Sequence, residues 1–230
     1  MPPVRSQGAQ GSCVAWATTY YMKSYQEKIQ EEYEYETYED VMSPAFVYNQ
    51  AKVNINCMSG SIIETSLEIL KTQGVNTWKD FPYSEDYCTS LPSEELLLKA
   101  KENLIKEYFK VEIVDSISAA DYTLTRVIKT LVSQKNPIVI SMDFENLIFN
   151  DTNGKYQADL YSKEPIEGCG HAVLIVGYDD LNNAFKIVNS WGTDWGNAGY
   201  AWINYNFFVD EFDTNYQQGL NEVFIAYDED

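Results

Sequence analysis

From position 12 onward the apolar residues Val14, Ala17, Tyr21 and Tyr25 recur at three- and four-residue spacing, the period of one helix face. Lys23, Glu27 and Lys28 fall at the other positions. The pattern predicts a helix opening at Ser12 or Cys13, with Cys13 in its first turn. A second helix is predicted through "SPAFVYNQAK", with Ser43 as N-cap and Pro44 at the first helical position. A third follows Ser61 through "IIETSLEILKTQG", where Ile63, Leu67 and Leu70 share a face and Gly74 provides the stop. "SEELLLKAKENLIKEYF" reads as a fourth helix capped by Ser93, and "TLTRVIKTLVSQ" as one more.

The second half changes period. "NPIVISMDF", "HAVLIVGYDD", "AFKIVNS", "GYAWINY" and "EVFIAYDE" are short β-branched and aromatic runs separated by Asn, Asp and Gly, and they predict strands of one antiparallel sheet. Helices first and strands second predict an α+β fold of two lobes, a helical one over about 10–112 and a β one over about 113–230. No internal repeat, low-complexity segment or flexible linker separates them, so the expectation is a single domain of 1–230 packed as one unit.

Composition narrows the partners. The chain has 230 residues, 45% hydrophobic and 14% aromatic, long enough to bury a sizeable core. Asp and Glu number 35 against 16 Lys and Arg, a formal charge of −19, which repels phosphate backbones and anionic lipid. Nucleic acid is therefore excluded as an expected partner. No apolar run reaches membrane-spanning length and "MPPVRSQGAQ" has no apolar signal core, so neither membrane insertion nor an export signal is read in the chain. Cys13, Cys57, Cys88 and Cys169 are far apart without paired spacing, and there is one histidine, His171. A structural zinc site is not expected, nor any other metal or cofactor.

Candidate chemistry begins at "QGAQGSCVAWA". A thiol at a helix start feels the positive end of the peptide dipoles, which favours the thiolate. Gly11 leaves the approach to Cys13 open, and Gln7 and Gln10 are amides available beside the backbone N–H groups of the helix start to hold an oxyanion. A cysteine nucleophile needs a base, and the base an orienting partner. His171 is the sole imidazole, and Asn189 in "VNSWGTDWGNAGY" could hold it in one tautomer beside Trp191.

These three segments together resemble the papain-like cysteine peptidases. Gln7 lies six residues before Cys13, the cysteine follows Gly-Ser and opens a long helix, "HAVLIVGY" is similar to the family's histidine strand, and "NSWGTDWGNAGY" matches its asparagine segment at every fixed position. The order Cys, His, Asn agrees. The resemblance implies a two-lobed papain-like fold, a helical N-terminal lobe and an antiparallel sheet or barrel C-terminal lobe, with the active site in the cleft between them. It implies Cys13 as nucleophile, His171 as general base and acid, Asn189 as orienter, and Gln7 with the Cys13 N–H as oxyanion hole. Trp191 would shield the His–Asn contact. Gly11, Ser59, Gly60 and Gly170 would line the substrate path, although Ser59 stands where the family has the first of two glycines. Peptide or unfolded-protein substrates follow, with a pro-segment or protein inhibitor in the same cleft, a monomer, and a secreted or otherwise extracytoplasmic location.

The departures are equally specific. Val14 replaces the tryptophan after the nucleophile, and Gln10 replaces the cysteine three residues before it, which would have bridged to Cys57. The partner implied for Cys88 would fall near Gln50. Cys57 and Cys88 therefore pair with each other or remain free, and Cys169 is expected as a small wall residue near His171. Two alternatives use the same residues: a catalytically silent peptide-binding module, to which Val14 and Ser59 point, and a thiol amidase or transglutaminase-type acyl transferase, against which the NSWG segment and the Gln–Cys spacing argue.

Overall fold

The computed structural model describes residues 1–31, 35, 40–111, 124–143, 147–152, 155–160, 170–208 and 220–228. The chain packs as two compact units, one of Met1–Phe109 with Ala226–Asp230, the other of Lys110–Ile225. The final residues thus return to the unit that contains the N-terminus.

In the first unit a helical run starts where the sequence predicts it. It comprises α1 (Cys13–Ala15), a π-helical stretch Trp16–Lys23 and α2 (Ser24–Glu31). The π register shows in the Ser24 N–H bond to Thr19 O. Thr18 supplies a local cause, because its Oγ1 donates to Val14 O at 2.9 Å and competes with the backbone for that carbonyl. Every residue from Trp16 to Lys23 is buried, so the helix is wrapped on all sides rather than on one stripe. Trp16 packs against Tyr20, Trp78 and Tyr83 at ring separations of 4.7, 5.9 and 5.1 Å.

α3 (Pro44–Ala51) is capped by the Ser43 hydroxyl, which accepts from Phe46 N, and Pro44 occupies its first turn. α4 (Ile63–Thr72) buries Ile63, Leu67 and Leu70. Gly74 follows at φ 76°, a left-handed position that glycine takes without strain.

The predicted fourth helix is divided. α5 (Glu94–Ala100) has the expected Ser93 cap, a 3₁₀ turn covers Lys101–Asn103, and the remainder is a strand, β1 (Ile105–Lys110).

The second unit opens with α6 (Leu124–Ser133), on the predicted segment. The five predicted strands are β2 (Ile138–Asp143), β5 (Gly170–Asp179), β6 (Ala184–Val188), β7 (Tyr200–Asn204) and β8 (Leu220–Asp228). β3 (Leu147–Thr152) and β4 (Lys155–Leu160) are additional. The strand order is β1-β8-β2-β5-β6-β7-β4-β3, and the part of β8 from Ala226 onward belongs to the same unit as β1.

The five predicted strands pair antiparallel as expected, and the additional β4 meets β7 in parallel, Gln157 opposite Trp202. The β3–β4 register, Thr152 opposite Lys155, leaves two residues between the strands. The sequence there is Asn-Gly, a hairpin signal that the strand reading passed over. Ile138, Val139 and Ile140 of β2 and Val173, Leu174 and Ile175 of β5 are all buried, as near-continuous apolar runs require in the middle of a sheet. α6 packs on these two strands. Among the described residues no helix is long and apolar enough to cross a membrane.

Candidate active site

The first unit supplies Cys13, half-exposed at the helix start. The first helical hydrogen bond runs from Trp16 N to Ser12 O at 3.0 Å, so the N–H groups before it point out of the helix end. Ser12 is fully buried, but its side chain does not cap the helix. Gln7 is buried as well, and its Nε2 donates to Gln10 O at 2.7 Å, which fixes the carboxamide's orientation. Gln10, the other candidate amide, donates through Nε2 to Ser84 O at 3.0 Å.

Gly11 fits for a packing reason. Its N–H donates to Cys57 O at 2.9 Å, and a Cβ there would stand 2.5 Å from Met58 O and 2.7 Å from Ser59 O. Tyr48 Oη reaches the same loop, 2.7 Å from Cys57 O and 2.6 Å from Ser59 O. Burial, then the charges of Tyr83 and Cys13, push this phenol up to about 12, so it remains a neutral donor. The Ser59 hydroxyl bonds Asn54 Oδ1 and Asn56 O. Gly60 is exposed with open space beside its Cα, and its carbonyl accepts from Val53 N at 3.1 Å.

Cys57 and Cys88 form a disulfide, one of the two outcomes the sequence left open. Cys169 lies outside the described residues.

The second unit carries His171. His171 is the second residue of β5, opposite Met142 of β2, and Gly170 precedes it, exposed, opposite Asp143. His171 Nε2 lies 2.7 Å from Asn189 Oδ1. The same oxygen accepts Ser190 N at 2.7 Å. A backbone N–H only donates, so the atom facing it must be the amide oxygen, and the histidine must then donate from Nε2–H. Nδ1 is left as the basic nitrogen.

Asn189 is itself tied by its N–H to Gly199 O at 3.0 Å. The turn that carries it uses Gly192 at φ 81° and Gly199 at φ 87°, which explains why this segment needs glycine at those places. Trp191 lies on the imidazole with ring centroids 4.5 Å apart and planes at 29°, and Trp195 meets Trp191 edge-on at 5.6 Å.

Burial pushes the His171 imidazole down to about 4, with the Asn189 hydrogen bond acting in the opposite sense. At neutral pH the ring is a neutral base. Charging it there is costly unless an anion forms beside it. Among the described residues no group of His, Cys, Asp and Glu could hold a metal ion.

The two phenols carry no signal in the sequence. Tyr83 Oη stands 2.8 Å from Ser12 Oγ across 71 positions of chain, and no local period announces such a bond.

The pattern described as "Papain family cysteine protease" matches residues 1–215. Similar proteins include the viral cathepsin of Heliothis zea nuclear polyhedrosis virus, 28% identical over 209 residues that cover 89% of this chain and 49% of that protein. The cathepsin L-like proteinase of Fasciola hepatica is 28% identical over 206 residues, 86% of this chain and 55% of its own. The chain thus spans about half the length of these relatives. Among solved structures, xylellain, a cysteine protease from Xylella fastidiosa, matches with a TM-score of 0.75 and 25% identity over 100% of this chain and 85% of that one. Bromelain from Ananas comosus, solved in complex with the E64 inhibitor, matches in fold with a TM-score of 0.61 at 20% identity, over 99% of this chain and 94% of its own.

Proposed function

This chain belongs to the papain family of cysteine proteases, and from that premise we propose that it is an endopeptidase working through Cys13, His171 and Asn189. The observation that carries the proposal is the forced tautomer of the only histidine, with Nε2–H donated to Asn189 Oδ1 and Nδ1 basic.

In the proposed cycle Nδ1 takes the Cys13 thiol proton, and the thiolate attacks the peptide carbonyl carbon. The developing oxyanion is held by Gln7 Nε2–H and the Cys13 N–H. Collapse of the tetrahedral adduct breaks the C–N bond, the leaving amine takes the proton from His171, and a thioester remains on Cys13. Water then gives a proton to Nδ1 and attacks the thioester, releasing the acid and restoring the thiol. Trp191, stacked on the imidazole, keeps water from the Nε2–Oδ1 bond. Gly11, Ser59, Gly60 and Gly170 line the path of an extended peptide, which a pro-segment or inhibitor would share. The reaction needs no cofactor. The Cys57–Cys88 disulfide favours an extracytoplasmic site of action.

The test is chemical. An epoxysuccinyl peptide should form one adduct on Cys13, and the protein should cleave reduced, unfolded casein; Cys13→Ala should lose both. Wild-type protein that is neither labelled nor proteolytic, yet binds peptide as Cys13→Ala does, would establish the silent binding module instead.

A further inference from the structure

The loop that presents Gln7 and Cys13 has little regular structure, and its shape depends on what grips it. Gln10 occupies the place where the resemblance leads one to expect a bridging cysteine, and Cys57 is bonded to Cys88. No disulfide therefore ties residues 7–12 to the body of the unit.

Besides the Gly11 N–H bond to Cys57 O at 2.9 Å, the grip comes from Tyr83 and Ser84. Tyr83 Oη lies 2.7 Å from Gln7 O and 2.8 Å from Ser12 Oγ. A phenol has one proton and a carbonyl can only accept, so the proton goes to Gln7 O and the Ser12 hydroxyl donates to Oη. The result is a directed chain from Ser12 through Tyr83 to Gln7. Ser84 O takes the Gln10 Nε2 donor at 3.0 Å, and Gln10 O takes that of Gln7 at 2.7 Å. The Tyr83 ring is held independently of its hydroxyl, against Trp16 at 5.1 Å and Trp78 at 5.7 Å.

We propose that Tyr83 is a positioning residue for the oxyanion site: its hydroxyl, joining the residue next to the nucleophile to the residue that offers the second donor, sets the separation of the Cys13 N–H and the Gln7 carboxamide. The inference rests on the peptidase reading and on Gln7 as an oxyanion donor. Tyr83 touches neither substrate nor thiol in this role; it acts through Gln7 and Ser12.

Tyr83→Phe keeps the ring packing and removes only the hydroxyl. With a peptide anilide, kcat should fall about tenfold while KM changes little, because the lost geometry matters once the oxyanion develops. Inhibition by a peptide aldehyde, which forms an oxyanion on binding, should weaken by a similar factor. Alkylation of Cys13 by iodoacetamide, which forms none, should stay within about twofold. In a Gln7→Ala background the Tyr83→Phe change should cost almost nothing further. Ser12→Ala, which removes the other end of the chain, should show the same pattern at reduced size.

Loss of alkylation in parallel with kcat, full multiplication of the Gln7→Ala and Tyr83→Phe effects, or kcat within twofold of wild type in both hydroxyl variants would overturn the proposal while leaving the peptidase reading intact. A wild-type chain with no turnover and no aldehyde binding would overturn the peptidase reading, and this one with it.

Discussion

A buried imidazole resists a second proton, and at His171 that resistance is measurable as stability. The group sits at about 4 in the folded chain against roughly 6.5 for a free histidine. Above pH 6.5 both states hold it neutral. Between about 6.5 and 4 the unfolded chain takes up a proton that the folded chain refuses, so stability falls as pH falls through that window. At pH 4.5 the loss from this group should be about 2–3 kcal/mol relative to pH 7. Urea denaturation of wild type and His171→Gln at both pH values checks it: the pH-dependent loss should be smaller in His171→Gln by that amount, and equal losses would contradict it. At this scale Cys13, His171 and Asn189 are readable as candidates because a lone histidine and a fixed-glycine turn leave few choices. From the residues alone Gln7 and Gln10 read as two available amides and the resemblance singles out Gln7, because the partner that holds Gln10, Ser84 O, lies 74 positions away.

Among the elements, the helix from Cys13 to Glu31 shows what a period can and cannot announce. Its start was readable from the apolar spacing. The burial of Lys23, which falls off the apolar stripe, was not, because it depends on partners elsewhere. Lys23 is 1% exposed and its Nζ lies 2.5 Å from Glu27 Oε1 and from Asp228 Oδ1, with Leu104 O at 2.7 Å. Lys23→Met would take this cation away from two carboxylates that are themselves less than a tenth exposed. It should cost about 3 kcal/mol or more at pH 7, and the loss should shrink as pH is lowered and the carboxylates take up protons. Urea denaturation reads both effects; a loss under about 1 kcal/mol would show that the cluster contributes little.

The predicted fourth helix fails for a related reason. Leu104, Ile105, Tyr108 and Phe109 have a spacing that suits a helix, but Asn103 Nδ2 is drawn to Val75 O at 2.9 Å, and the residues after it form β1 beside β8. Tertiary pairing overrides local period there. β3 and β4 were missed because their side-chain patterns are weak, although the Asn-Gly between them was in plain view.

Across the whole molecule, helices concentrate in one unit and most strands in the other, as the change of period near the middle of the chain predicts. What no period contains is the return of Ala226–Asp230 to the first unit, where Ala226 O accepts from Gln26 Nε2 at 2.8 Å over 200 positions. The candidate residues divide likewise, Gln7 and Cys13 in the first unit and His171 and Asn189 in the second. If peptide hydrolysis passes through a covalent acyl group on Cys13, as proposed, that group can be captured directly. Protein mixed with a slowly hydrolysed acyl ester is quenched in acid within the first turnover, digested and weighed by mass spectrometry. One added acyl group is expected on the Cys13 peptide, formed at the rate of the product burst and lost at the steady-state rate. Turnover that proceeds with Cys13 unmodified throughout would contradict it.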